Sequence, residues 1–495
     1  MPRTTRWAWL VIFSQMLVTG VQAQELLPPL PNIDNYLETS TEDAPEDELS
    51  RRLKALEEEW EKHKEKLADD KKKSDEKAKE KEKEAKSKPT FKLGGRIHLD
   101  HWAFPDTSPG IGYFENSAPF LADGVTPNPQ YGQDPEDRFA FRRVRLEFKG
   151  DLLESMLWRM QVDFNDVGDP QFKDVYIGFK ELPNNQEFLI GIQKRPLGLD
   201  HLNSSRFNVF LERPFVVEAF NEDARRFGMA MYGHTDDEMF TWRYGVYNLE
   251  NVTDDGHYIG DHYQLSANAR VSMCPYYECE GSSYMHLALS GMAAHPDGDA
   301  NSAVTNSNEG RFRTRPEARS TSRWLDTGRI RGAEAYEVVG AEFIYNEGPF
   351  QLCGEYQVNW MQRHNAYPDV FFHGAYLYAS YFLTGEHMAY DRTTSTLDRV
   401  KVKRNFFHVD HLEGCHGIGP GAWQVAARYS YLDVSDGDIF GGVGHSGTFA
   451  VNWHWNSYAK VQFNAIYGSI DDHRAVAGYT AGDYWILGTR FAVDF

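Results

Sequence analysis

An alternation of apolar and polar side chains runs from Phe91 to Phe495 and limits the fold more than any other feature of the sequence. The last segment shows it well, because one face holds Trp485, Leu487, Phe491 and Val493 while the other holds Tyr484, Gly488, Arg490 and Asp494. A period of two residues is that of a β-strand, whose successive side chains point to opposite sides. We therefore expect strands with one apolar and one wet face.

The alternation divides into sixteen segments, most of which are near the roughly 9 to 11 residues that a tilted strand needs to cross a bilayer. The predicted strands are 91–104, 139–149, 155–165, 172–181, 186–195, 227–233, 238–248, 263–273, 282–293, 333–345, 349–361, 370–383, 423–432, 445–455, 458–468 and 484–495. Short turns alternate with long loops at 105–138, 196–226, 249–262 and 294–332, as in outer-membrane barrels. The connection 384–421 is the exception, because it is long although it falls at the end of the barrel where the other connections are short turns.

Strand edges exposed to hydrocarbon would leave backbone groups unpaired, so such a sheet must close. The mean hydropathy of −0.58 excludes a polytopic helical membrane protein. The sequence therefore predicts an all-β, sixteen-stranded antiparallel transmembrane β-barrel with a water-filled lumen and an N-terminal charged helical extension.

The first 88 residues have a different composition. Residues 1–23 predict a signal peptide, with Arg3 and Arg6 before an apolar run and a cleavage site after Ala23, and residues 24–45 predict a linker. Residues 46–88 contain fifteen acidic and fifteen basic side chains. They predict either a coiled-coil helix, because Leu49, Leu53, Leu56, Trp60, His63 and Leu67 follow a 4-3-4-3-4 spacing, or a solvated spacer. The barrel domain is predicted at 89–495.

The net charge of −21 argues against nucleic acid as a partner. No segment of the sequence matches a known catalytic-nucleophile motif or metal-binding motif. We therefore expect no enzymatic activity, no cofactor and no metal. Cys274 and Cys279 flank a short turn, and whether they form a disulfide stays open.

Several motifs occur in one order along the barrel. Gly94–Asp100 and Phe141–Gly150 come first, then Gly191–Pro196, Asn203–Arg206 and Leu211–Arg213, then Ala224–Gly228 and Tyr381–Glu386. Together they resemble the phosphate-selective porin O and P family. The resemblance implies a trimeric channel in which arginines guide anions to a constriction formed by loops folded inward. The terminal Phe495 resembles the signal that such barrels present to their assembly machinery.

Arginines on the predicted lumen face and in the loops are the candidate anion-binding and channel-lining residues. They are Arg143, Arg145, Arg206, Arg213, Arg225, Arg226, Arg243, Arg270, Arg311, Arg313 and Arg315. Arg142 falls on the lipid side of this register, and we expect it to reach the membrane interface. The predicted function is passive diffusion of small anions such as phosphate or polyphosphate through the bacterial outer membrane. The alternatives are a general or carbohydrate diffusion porin and an envelope tether whose helical segment contacts the cell wall.

Overall fold

The computed structural model describes residues 46–86, 88–166, 168–221, 224–250, 263–298, 308–364, 366–410 and 416–495. The predicted signal peptide and linker lie outside these residues. The chain divides into two compact units, residues 1–83 and 84–495, which are described separately.

The charged N-terminal segment forms helix α1, Glu46–Lys86, of 41 residues. Glutamate, lysine, leucine and alanine dominate its sequence, and all four are good helix formers. Ion pairs within the helix join Arg52 to Glu48 at 3.7 Å and Lys64 to Glu61 at 3.5 Å. None of the described helices is both long enough and apolar enough to cross a membrane.

The second unit is a closed barrel of sixteen antiparallel strands. We number the strands β1 Lys92–Thr107, β2 Arg138–Leu152, β3 Met156–Asp163, β4 Gln171–Leu182, β5 Gln186–Lys194, β6 Arg225–His234, β7 Phe240–Asn248, β8 Leu265–Glu278, β9 Ser283–His295, β10 Ala333–Glu347, β11 Phe350–Arg363, β12 Val370–Phe382, β13 Ala422–Asp436, β14 Ile439–Asn456, β15 Ala459–His473 and β16 Gly482–Asp494. Each strand pairs with the next in sequence, and β16 closes the barrel on β1. The sixteen-strand fold predicted from the sequence is confirmed.

The alternation of the sequence appears in the barrel as two faces. In β16, Tyr484, Ile486 and Arg490 are buried inside, whereas Leu487 and Phe491 are exposed on the outer surface. Short helices lie in the connections at Pro109–Glu115 (α2), Leu199–Leu202 (α3) and Phe215–Phe220 (α4). Two-residue strands also pair at Arg313–Thr314 with Leu325–Asp326 and at Tyr390–Asp391 with Thr396–Leu397.

Connections that fold inward occupy much of the lumen. Loop A (residues 195–221) carries α3 and α4, loop B is residues 308–332, and the strap is residues 384–403 between β12 and β13. Each of them buries large apolar side chains, among them Phe215 in loop A, Trp324 in loop B and Leu397 in the strap. Helix α4 packs on β12 and β13, and the short strand Leu325–Asp326 packs on β14. This packing fills one side of the barrel. The connection after β12 is long, although it lies at the end of the barrel where the other turns are short, because it folds into the lumen as the strap.

Candidate functional site

An open cavity of about 800 Å³ remains on the other side of the lumen. Its wall is formed by the inner faces of β1 to β7, and parts of loop A, loop B and the strap face it. Five carboxylates and thirteen cationic side chains line the cavity. The cationic residues are Arg96, Arg142, Arg143, Arg145, Arg159, Lys173, Lys194, Arg213, Arg225, Arg243, Arg315, Arg319 and Arg323. The cavity is therefore strongly basic although the whole chain is acidic.

A β-bulge in β2 brings two consecutive arginines to this cavity. The pairing between β1 and β2 shifts so that His98 lies opposite Arg143 and Leu99 opposite Phe141, which leaves Arg142 as the extra residue. A bulge of this kind turns the side chain of the inserted residue. Arg142 donates to Glu212 of loop A from Nε at 2.7 Å and from Nη2 at 3.0 Å. The expectation that Arg142 faces lipid is therefore wrong, because strict alternation fails at the bulge.

Some of the cavity arginines are neutralised by carboxylates on neighbouring strands. Arg225 forms two hydrogen bonds with Asp174, at 2.8 and 3.0 Å, and Arg145 donates to Asp163 at 2.6 Å. Arg159 donates to Glu147 at 2.6 Å. These pairs stabilise the wall, since removing one partner would leave the other charge buried alone.

Other cavity arginines have no carboxylate partner among the described residues. Arg96 donates to Oγ of Ser204 and Ser205 at 3.3 and 2.8 Å, and Arg143 donates to Nδ1 of His98 at 3.3 Å. Arg319 of loop B makes no hydrogen bond or ion pair with any described residue. Among the described residues, these three guanidinium groups therefore have no carboxylate within ion-pair distance.

The surroundings of Arg319 carry a positive potential. The charge of Arg142, burial and the charge of Arg315 lower the pKa of Arg319 to about 9. Arg319 is still protonated at neutral pH, so the lowered pKa reflects repulsion among like charges. An anion placed here would relieve that repulsion.

Loop A is held at the cavity by groups on the barrel wall. The carboxyl group of Glu355 on β11 accepts hydrogen bonds from the backbone N–H groups of Leu199 at 3.0 Å and Asp200 at 2.7 Å, at the start of α3. Gly198 has φ +81°, and a Cβ there would lie 2.7 Å from Oε2 of Glu355. Lys194 donates to three carbonyl oxygens of loop A, at 2.7, 3.0 and 2.9 Å, which fixes the loop relative to β5.

The strap bounds the cavity at the end of the barrel with the short turns. Thr393 and Thr394 line the cavity, and Arg243 donates to the carbonyl oxygen of Thr394. The strap also meets loop A, where the backbone N–H of Leu397 donates to Oδ1 of Asn203 at 2.9 Å. The cavity therefore extends along the β1 to β7 wall as far as the tip of the strap.

The cavity brings together part of the set of candidate arginines predicted from the sequence. Those that line it are Arg143, Arg145, Arg213, Arg225, Arg243 and Arg315. It also contains cationic residues outside that set, of which Arg319 and Arg323 lie in the arginine-rich loop and Arg96 and Arg159 follow from strand alternation. Lys194 has no signal in the sequence alone, because its place depends on the path of loop A.

The remaining candidates do not line the cavity. Arg206 faces a second, smaller cavity, with Nε 3.4 Å from Asp494. Arg226 donates to the carbonyl oxygens of Leu249 and Arg225. Arg270 is buried and donates twice to Glu342, at 2.9 and 2.8 Å. Arg311 pairs with Asp326 at 2.5 Å, and Arg313 belongs to the short strand beside it.

Within the described ranges, no group of three or more histidine, cysteine, aspartate or glutamate side chains could hold a metal ion. Cys274 is buried, Cys279 is exposed, and both are free thiols in the structure.

Comparison with known proteins adds a family match. A family model described as phosphate-selective porin O and P matches residues 121–495. An uncharacterized protein of Caulobacter vibrioides is 23% identical over 417 residues, which are 82% of this chain and 74% of that protein.

The solved structures with a similar course of the chain include several outer-membrane proteins. An anion-selective porin from Comamonas acidovorans has a TM-score of 0.46 at 12% identity, over 82% of this chain and 100% of that one. A loop L8 deletion mutant of OmpT, an outer membrane protein of Vibrio cholerae, has a TM-score of 0.47 at 12% identity, over 82% and 99%. The outer membrane channel DcaP of Acinetobacter baumannii has a TM-score of 0.46 at 9% identity, over 82% and 98%.

Proposed function

The chain belongs to the phosphate-selective porin O and P family, and on that premise we propose that its channel selects small anions, with phosphate or polyphosphate preferred. As an outer-membrane porin it forms a passive channel. The observation that carries the proposed selectivity is the excess of thirteen cationic over five acidic side chains around a cavity of about 800 Å³.

Electrostatics in a narrow lumen favours this selectivity. A unit charge about 4 Å from an anion contributes roughly 1 kcal/mol in bulk water and about 4 kcal/mol at an effective dielectric constant near 20. Several moderate sites along the wall allow an anion to enter and leave, whereas one deep site would trap it. Guanidinium groups without a carboxylate partner, as at Arg96, Arg143 and Arg319, offer paired donors that suit phosphate oxygens.

The proposed mechanism is charge-guided diffusion without a chemical step. An anion enters from the end with the long loops, meets Arg315 and Arg319 of loop B, and moves along the β2 arginines toward the tip of the strap. Carboxylates such as Asp174 and Asp163 already hold neighbouring arginines, so the wall keeps its shape while ions pass. No bond is made or broken, and the protein is not an enzyme in this proposal.

We further propose that three copies assemble in the membrane and that residues 1–23 direct export. In this proposal the barrel-assembly machinery recognises the C-terminal Phe495. In the folded barrel Phe495 pairs with Gly95 through two backbone hydrogen bonds, at 2.9 and 3.1 Å, so the terminal residue is part of the closing seam. Its aromatic side chain is exposed on the outer surface.

Phosphate competition in planar bilayers tests the substrate class. Chloride current through the purified protein is recorded while phosphate or a maltodextrin is added at constant ionic strength. We expect phosphate to reduce the chloride current by occupying the arginine sites, and maltodextrin to have little effect. A current that maltodextrin blocks and phosphate leaves unchanged would favour the carbohydrate porin instead.

A further inference from the structure

Helix α1 carries a stripe of exposed apolar side chains along one side. Leu53, Leu56 and Leu67 are 55, 56 and 53% exposed, and Trp60 is 68% exposed. With Leu49 and His63 they follow alternating steps of four and three residues, which places them on one side of the helix. This spacing is that of the a and d positions of a coiled coil, where Leu53, Trp60 and Leu67 are a residues.

The charges beside this stripe match a parallel copy of the same helix. In the heptad set by the stripe, Arg52 and Glu59 take g positions, while Glu57 and Lys64 take e positions. In a parallel, in-register bundle each g residue lies next to the e residue five positions later in the neighbouring copy. Arg52 then meets Glu57 of its neighbour and Glu59 meets Lys64, so both flanking contacts are attractive.

An antiparallel copy would bring like charges together. The antiparallel alignment that pairs the apolar positions places Leu53 against His63 and Leu56 against Trp60. Flanking e residues then meet e residues and g residues meet g residues, so Glu57 lies beside Glu57 of the other copy. Glu59 likewise meets Glu59, and Arg52 meets Lys66. The sequence therefore selects the parallel orientation.

The stripe stops well before the helix does. From Ala68 to Lys86 the helix has no apolar side chain larger than alanine. At about 1.5 Å rise per residue, this charged part is roughly 28 Å long. It has the composition of a solvated helix held by pairs of glutamate and lysine, so the contact surface is limited to the first half of α1.

We propose that residues 49–67 of α1 bind the same segment of other copies in a parallel, in-register helical bundle, and that residues 68–86 act as a solvated helical spacer. The occupant of the stripe is thus another copy of this chain, selected by charge complementarity. The proposal rests on the assembly of several copies in the proposed function but is independent of anion selectivity.

Disulfide trapping in the full-length protein in detergent tests the bundle. Cysteine is introduced at the d position as Leu56→Cys or at the outward f position as Glu58→Cys, in a background in which Cys279 and Cys415 are replaced by serine. In a parallel bundle Leu56 of one copy lies next to Leu56 of its neighbour. Oxidation should therefore link copies of the Leu56→Cys protein several-fold more than copies of the Glu58→Cys protein. Equal linking of the two, or no linking through residue 56, would overturn the proposal.

Charge reversal separates bundle formation from helix stability. Glu57→Lys should lower the cross-linking yield at residue 56, and adding Arg52→Glu should restore it by exchanging the two partners. The matched control is Glu58→Lys, which places like charges four residues from both Lys54 and Lys62 and so weakens the helix itself more. If Glu58→Lys lowered the cross-linking yield at residue 56 more than Glu57→Lys does, the result would contradict the proposed interface.

Conductance of the same variants in planar bilayers distinguishes this proposal from the channel function. We expect anion selectivity to be unchanged in every α1 variant, because the cavity residues are intact. Normal selectivity without cross-linking would refute only the bundle, whereas cross-linking in a barrel that lacks anion selectivity would refute only the proposed channel function.

Discussion

Replacing Arg319 by glutamine should weaken anion binding in the lumen without disturbing the barrel. Arg319 lines the cavity and makes no hydrogen bond or ion pair with any described residue. Its loss therefore leaves no carboxylate unpaired. The neighbouring charges of Arg142 and Arg315, together with burial, lower its pKa to about 9. The positive charges of these three arginines therefore repel one another at this site.

The expected effect follows from the dielectric of the lumen. A charge about 4 Å from an anion contributes between about 1 and 4 kcal/mol, depending on how much water remains. A loss of about 1.4 kcal/mol corresponds to tenfold weaker binding. We therefore expect Arg319→Gln to raise the phosphate concentration that halves the chloride current about tenfold, measured on single channels in planar bilayers.

Arg331→Gln is the matched control, because Arg331 lies in the same loop, is exposed and does not line the cavity. It removes the same charge from the whole protein, and we expect the half-blocking concentration to stay near that of the unchanged protein. Equal effects of the two substitutions would mean that only overall charge matters. No effect of Arg319→Gln in a correctly folded barrel would refute the assignment of the anion path to this part of the lumen.

Further predictions concern the strap, the pH dependence and loop A. Leu397→Asp places a carboxylate at a strap position that is 3% exposed, so the strap should leave the lumen and single-channel conductance should rise; unchanged conductance would show that the strap does not limit the path. Anion selectivity, measured as reversal potential, should fall as pH rises above the Arg319 pKa of about 9, where that residue loses its charge, and should fall less in Arg319→Gln. Glu355→Gln replaces by an NH2 group one of the two carboxyl oxygens that accept from the N–H groups of Leu199 and Asp200, which leaves one N–H without its acceptor and costs about 1 to 3 kcal/mol. We expect the folded barrel to disappear from semi-native gels at a lower temperature, and an unchanged transition would argue against this anchor.

The barrel could be predicted from the sequence because each strand residue must face either the lumen or the outer surface. That choice imposes a period of two on every strand, and β16 shows the pattern without interruption. The bulge at Arg142 could not be predicted in this way, since it depends on how β1 and β2 pair. The inserted residue shifts the alternation by one position, so the odd-numbered Phe139 and Phe141 face outward before it and the even-numbered Val144 faces outward after it.

The residues that line the cavity could be predicted only in part. Alternation along a strand predicts whether a side chain faces the lumen or the outer surface, but it does not predict which other side chains it contacts. Arg243 and Arg270 both point inward from neighbouring strands, yet Arg243 lines the cavity whereas Arg270 is held by Glu342 from β10. Likewise, the position of Arg206 depends on the path of loop A. Such contacts between distant parts of the chain leave no local trace in the sequence. The strap was visible only as an unusually long connection.

The reversal potential of the unaltered protein under a KCl gradient tests the central claim most directly. If the arginine-lined cavity is the conducting path, chloride should carry most of the current and the reversal potential should lie toward the chloride equilibrium potential. A reversal potential near zero, or one toward the potassium equilibrium potential, would contradict an anion-selective lumen.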